Sequence, residues 1–136
     1  TWQSELLVMK IERQENGKAI ILVPKGDLVY EGIDELENFF KILSDDASYV
    51  ILDLTYTKYI SAKALGIIVY YVKLFREKQR DLKLINVNEN IKKLLHITDI
   101  IKIVSIFENE GAALASIGPQ VGKLEKMLLW SKERFV

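Results

Sequence analysis

The sequence predicts an α/β domain: a mostly parallel mixed sheet of about five strands covered by about four helices, with one more helix at the C-terminal end. Three observations carry this. Short apolar runs with few charges, above all YVILDL at 49–54, suit strands covered on both faces. Between them, apolar residues recur at three- and four-residue steps, the spacing of a helix that buries one stripe. The two kinds of segment alternate, which calls for parallel strands joined by helical crossovers.

Taken in order, ELLVMKIER (5–13) begins apolar and then alternates, so it reads as a strand, and QENG behind it as a turn ending at Gly17. AIILV (19–23) is a second strand, stopped by Pro24 and Gly26, and the pair is expected to form an antiparallel edge. Ile33, Leu36, Phe39, Phe40 and Leu43 give an amphipathic helix over 31–43, ended by SDDAS. The strand at 49–54 follows, then a helix over 64–79 with Leu65, Ile68, Val69, Val72 and Phe75 on one stripe and Lys73, Arg76, Glu77 and Lys78 mostly off it. A fourth strand is expected at 82–87, and Asn88 as the cap of a short helix carrying Ile91, Leu94 and Leu95. IIKIVSIF (100–107) is the last strand and 109–117 a further helix. Gly118-Pro119 punctuates the chain, and 120–134 reads as a helix with Val121, Leu124, Met127 and Leu128 in a stripe, Pro119 suiting its first turn.

At 136 residues the chain is about one domain on a prior of roughly 150 residues each, divided here into a body, 1–117, and a helical extension packed on it, 118–136. Hydrophobic residues make up 49% and charged residues 28%, which excludes a disordered tail. Without cysteine there is no disulfide or thiolate chemistry, and a single histidine argues against a zinc site, so no metal and no cofactor is expected. Basic and acidic residues number 19 each, with no dense basic cluster, so nucleic acid is not the expected partner. The apolar runs fall short of the ~20 residues of a membrane span, and the first residues lack the order of a signal peptide; the expectation is a cytoplasmic protein with no membrane association.

The segment with the most chemical interest is YISAKALGII (59–68), where a strand feeds directly into a helix whose first amides are free to bind an anion or a partner. Asp53 and Asp27 are carboxylates near strand ends, but no histidine or lysine is clearly placed to drive their pKa values apart, and His96 in LLHIT reads as a packed or hydrogen-bonded helix residue. Neither a phosphate-binding G-x-x-x-x-G-K-[ST] loop nor a G-x-S-x-G elbow is present, and no enzyme activity or catalytic residue is expected.

From 26 to 117 the chain resembles the STAS domain, the fold of bacterial anti-sigma factor antagonists. KGDLVYEGIDELENFFKIL is similar to the family's G-[ED]-L opening and first helix; YVILDL to its strand ending D-L; LLHITDI to its L-x-L-T-G-L; and a Phe precedes a final acidic helix. The resemblance implies a protein-binding switch: the unphosphorylated domain binds an ATP-dependent anti-sigma factor kinase, and phosphorylation of a Ser or Thr in a D-S-x-G-L loop blocks that binding. Aligned on the G-L pair, Ala64 stands at the glycine, Leu65 at the leucine, Lys63 at the phosphoacceptor, Ala62 at the preceding serine and Ser61 at the aspartate. Val29 stands where the family commonly has a further acid.

The resemblance therefore implies a partner-binding loop of Tyr59, Ile60, Ser61, Ala62, Lys63, Ala64, Leu65 and Gly66, flanked by Asp27, Val29 and Tyr30, that lacks the ordinary phosphorylation cycle. Ser61 is either an alternative phosphoacceptor or an N-cap of the following helix, with Thr55 and Thr57 as weaker acceptors upstream. Lys63 with the helix N-terminus is the basis of an alternative, a small-molecule or nucleotide sensor that takes an anion. A third alternative is a homodimer or larger assembly through the C-terminal helix, with Leu129, Trp130 and Phe135 as anchors.

Overall fold

The chain enters the sheet through a hairpin. In the computed structural model, which describes residues 10–46 and 48–117, β1 (Ile11–Asn16) and β2 (Ala19–Pro24) pair antiparallel with Asn16 opposite Ala19. Only Gly17 and Lys18 lie between them, and Gly17 takes φ +64°, the left-handed value that the first position of a tight hairpin turn demands. β1 thus runs through Gln14, Glu15 and Asn16, where the sequence suggested a turn. An edge strand tolerates polar side chains on both faces, and from Arg13 onward β1 is exposed.

The remaining strands are β3 (Tyr49–Asp53), β4 (Leu82–Ile85) and β5 (Ser105–Phe107), in spatial order β1-β2-β3-β4-β5 with every pair from β2 onward parallel. The helices are α1 (Glu31–Asp45), α2 (Ala62–Glu77), α3 (Glu89–Ile97) and α4 (Glu110–Ile117). Because the order advances one strand at a time in one direction, right-handed crossovers put α1, α2 and α3 on the same face. Their stripes share one core: Leu36 and Phe40 of α1, Ile68 and Phe75 of α2, and Leu95 of α3, over Leu22, Leu52 and Leu84 of the sheet. The alternate residues Ile21, Ile51 and Ile85 point the other way, against Ala113 of α4. Two covered faces are why these strands read as continuous apolar runs.

Polar contacts tie the helix ends down. Lys78 Nζ donates to the carbonyl of Ser44 at 2.8 Å and to its hydroxyl at 3.2 Å, joining the C-terminal turns of α1 and α2. Arg76 reaches Asp81 at 3.2 Å and Ser105 at 3.1 Å, and Asp81 also pairs with the buried Lys83 at 3.0 Å.

Several boundaries differ from the sequence expectation: α1 runs two residues further, to Asp45, β3 stops one residue short, at Asp53, and α2 ends at Glu77 instead of 79. α2 starts two residues early, since Ser61 already satisfies its first turn. β4 stops at Ile85, where Asn86 takes φ +55°. The expected strand at 100–107 divides into a 3-10 helix, Ile100–Lys102, and the short β5. Asp99 at φ +60° starts that turn, and Ile100, Ile101 and Ile103 reach the main core from it, which an alternating strand would not allow. His96 is exposed in the last turn of α3 and not packed as expected. The helix expected at 120–134, the whole 118–136 extension and the start of the first strand lie outside the described residues. Among the described residues no helix is long and apolar enough to cross a membrane.

Tyr71 of α2 lies under this surface, 5.4 Å from the Phe40 ring and 5.0 Å from that of Tyr70. Burial, and then the negative charge of Glu37, raise its phenol above the usual 10.0. The neutral phenol is the form the fold accepts, so its contribution is complete below the unfolded value and is lost as pH rises through the folded one. Urea unfolding across the alkaline range is expected to show stability falling above about pH 10, with a shallower fall in Tyr71→Phe.

Candidate functional site

Three loops leave the C-terminal ends of β2, β3 and β4 and are tied together there. The 25–30 loop meets the 54–61 loop through an isolated parallel bridge, Leu28 to Ile60. The Leu28 amide donates to the Tyr59 carbonyl, and the Ser61 amide to the Leu28 carbonyl, both at 3.0 Å. This pair acts as one rung of extra sheet, and Leu28 and Ile60 point into the core. Asp27 anchors the same junction, its carboxylate accepting from the Lys58 amide at 2.8 Å and the Tyr59 amide at 3.2 Å. Thr57, 1% exposed, donates its hydroxyl to the Gly26 carbonyl at 2.9 Å.

Asn88 adds the third loop. Its side-chain oxygen caps α3 by accepting from the Ile91 amide at 2.8 Å, as expected, while its amide nitrogen donates to the carbonyls of Thr57 and Lys58, each at 3.1 Å. That second role had no sequence signal beyond the cap itself, because its partners lie about thirty residues away. Asp53 is used in the same manner: one oxygen accepts from the Thr55 amide at 3.0 Å, the Thr55 hydroxyl at 2.6 Å and the Asn86 side chain at 3.0 Å. Asp27 and Asp53 thus hold backbone and neighbouring side chains in two separate networks.

On this platform sits the start of α2. Ser61 is its N-cap, extended at φ −76° and ψ 163°, and its hydroxyl accepts from the Ala64 amide at 3.1 Å. Ala64 and Leu65 are buried beneath the turn, whereas Tyr59, Ala62, Lys63 and Gly66 face solvent. Lys63 is exposed in the first turn, where no acid accompanies it. Among the described residues nothing pairs with its ammonium, and a cation there opposes the helix macrodipole at a cost of about 0.3 to 1 kcal/mol.

Val29 is half-buried, and Tyr30 is 87% exposed with φ 59° and ψ −126°, a region that a bulky residue rarely occupies. The sequence carries no sign of this, since a tyrosine at that point looks ordinary. A cavity of about 390 Å³ opens at the ends of β4 and β5, between Asn86, Val87, Lys92, Ile106, Phe107 and Glu108. No residue of the 59–66 loop lines it.

The family profile described as the STAS domain matches residues 10–113. The chain belongs to the STAS domain family. An anti-sigma F factor antagonist of Paenibacillus polymyxa is 23% identical over 111 residues, covering 80% of this chain and 95% of its own. In fold, this STAS domain resembles a Thermotoga maritima protein, with a TM-score of 0.74 at 20% identity over 80% of this chain and 95% of that one. It also resembles an anti-sigma factor antagonist from Mycobacterium paratuberculosis, with a TM-score of 0.73 at 12% identity over 82% and 95%. The α/β architecture of a five-stranded mixed sheet with four described helices is thus that of anti-sigma factor antagonists.

Two substitutions test how the STAS loop is held. Asp27→Ala removes the acceptor for two amides and is expected to cost about 1 to 2 kcal/mol, with faster hydrogen exchange at Lys58 and Tyr59. Tyr30→Gly relieves the backbone strain and loses little packing, so chemical denaturation is expected to show a gain on the order of 1 kcal/mol.

Proposed function

We propose that this STAS domain is a non-enzymatic regulator of the anti-sigma factor antagonist type. It binds a protein partner of the anti-sigma factor or serine kinase class through the 59–66 loop and the exposed side of α2. It works in the cytoplasm by occupancy, without the Ser/Thr phosphorylation switch. Residues 1–117 are the binding unit, and 118–136 a helical extension of it.

The observation that supports this reading is the exposed Lys63 in the first turn of α2, which the resemblance to the family's D-S-x-G-L loop sets against the phosphoacceptor. An ammonium neither accepts a phosphoryl group as a serine hydroxyl does nor imitates phosphoserine, whose charge is opposite. The nearby hydroxyls support the same view. Ser61 accepts from the Ala64 amide, Thr57 is buried against Gly26, and Thr55 donates to Asp53. Asp27 and Asp53 both hold structure, which supports a binding role over acid–base chemistry.

Incubation of the chain with ATP and the cognate kinase, followed by phosphate mapping, is the direct test. No phosphate is expected on Thr55, Thr57 or Ser61, and the complex should persist in ATP, whereas Lys63→Ser should gain a phosphate. Stoichiometric phosphate on Ser61 of the unsubstituted chain overturns the unswitched mechanism. Thermal shift with inorganic phosphate and with nucleotides should leave the melting temperature unchanged. An upward shift abolished by Lys63→Ala would replace partner binding with anion sensing.

A further inference from the structure

α1 and α2 lie side by side on one face of the sheet, joined beneath by the Phe40–Tyr71 contact, and their solvent stripes carry opposite net charges. α1 exposes Glu31, Asp34, Glu37 and Asp45, with Asp46 just beyond its end, against one cation, Lys41. From Leu54 to Arg76 there is no Asp or Glu, and the charges are Lys58, Lys63, Lys73 and Arg76; Glu77, exposed at the last position of α2, is the one acid of that helix. Arg76 is held by Asp81. Lys58, Lys63 and Lys73 are exposed, and among the described residues neither they nor the α1 acids form ion pairs.

The two strips therefore stand next to each other without neutralising each other. Each helix also exposes one large apolar side chain, Ile42 on α1 at 57% and Tyr70 on α2 at 60%. An acidic strip beside a basic one is self-complementary under a two-fold axis, since each strip then meets its opposite on the other copy. A formal net charge of zero leaves no overall repulsion to oppose that approach. Lys63, unfavourable at a helix N-terminus in a single copy, gains carboxylates opposite it in the pair.

We infer that the α1–α2 face is an interface between two copies of this chain, the acidic stripe of α1 in each copy set against the 58–73 stripe of the other. Tyr70 and Ile42 supply the apolar part of the contact. The pair covers the loop that the proposed function assigns to the partner. Its regulatory consequence, competition between self-association and partner binding, rests on that assignment; the pairing itself does not.

Sedimentation equilibrium on the full chain alone tests the pairing without any partner, so its failure leaves the partner-binding proposal standing and the reverse also holds. A dimer is expected at about 50 mM salt, with a dissociation constant weakened at least about tenfold at roughly 500 mM, where screening is strong. Lys63→Glu with Lys73→Glu makes both strips acidic, and Glu37→Lys with Asp45→Lys makes the α1 strip basic. Each double variant, shown folded by circular dichroism, is expected to be monomeric, and their equimolar mixture to form a heterodimer tighter than the parent pair. A parent chain that stays monomeric at all concentrations overturns the inference, as do variants that dimerise like the parent or a mixture that stays monomeric. A parent monomer that binds an acidic protein through the lysine strip assigns that strip to a heterologous partner instead.

Discussion

One constraint organises this molecule: a parallel pair of strands cannot be joined by a hairpin and must be crossed over, and the crossover has one hand. With the strands in sequential order, that rule sends α1, α2 and α3 to the same side and returns the chain to the same edge after each of β2, β3 and β4. The three loops at that edge are neighbours for this reason, although they are distant in sequence. The other side of the sheet presents Ile21, Ile51 and Ile85 to α4. The two layers also explain why β2, β3 and β4 are apolar at most positions.

The loop cluster converts that adjacency into a rigid surface. Leu28 and Ile60 supply an anchored rung, Asp27 and Thr57 bind the second loop to the first, and Asn88 binds it to the third. These groups pair backbone polar atoms of the loops, part-buried at the Gly26 and Thr57 carbonyls and exposed at Lys58 and Tyr59. The start of α2 is therefore presented by a scaffold with little freedom to rearrange. A binding surface held in its bound form loses less entropy on association than a mobile loop would.

Electrostatics on this surface are arranged by helix, not by residue pair. α1 has acids in its first turn, where the macrodipole favours them, whereas α2 starts with Lys63 and no acid. Among the described residues no ion pair joins the two stripes, which leaves both charges available to something outside the chain. Tyr30 fits the same pattern of local sacrifice: a strained backbone holds an exposed ring at the junction between the two helices' loops.

The sequence by itself determined most of the described element types and the parallel crossover plan, because period-2 and period-3.6 apolar patterns record which side of each element is buried, while the family was legible only through the resemblance of its motifs. The lysine at position 63 is legible in one letter, and only the resemblance to the family's loop sets it against the phosphoacceptor. The cap by Ser61 was legible too, since its partner is three residues away. Tertiary structure alone decided what Asp27, Thr57 and Asn88 do, because their partners lie about thirty residues off and reach them only once three strands are side by side. It also decided the split of 100–107 and the strain at Tyr30. Both depend on how the chain must turn to meet a core built elsewhere, and a local pattern carries no record of that.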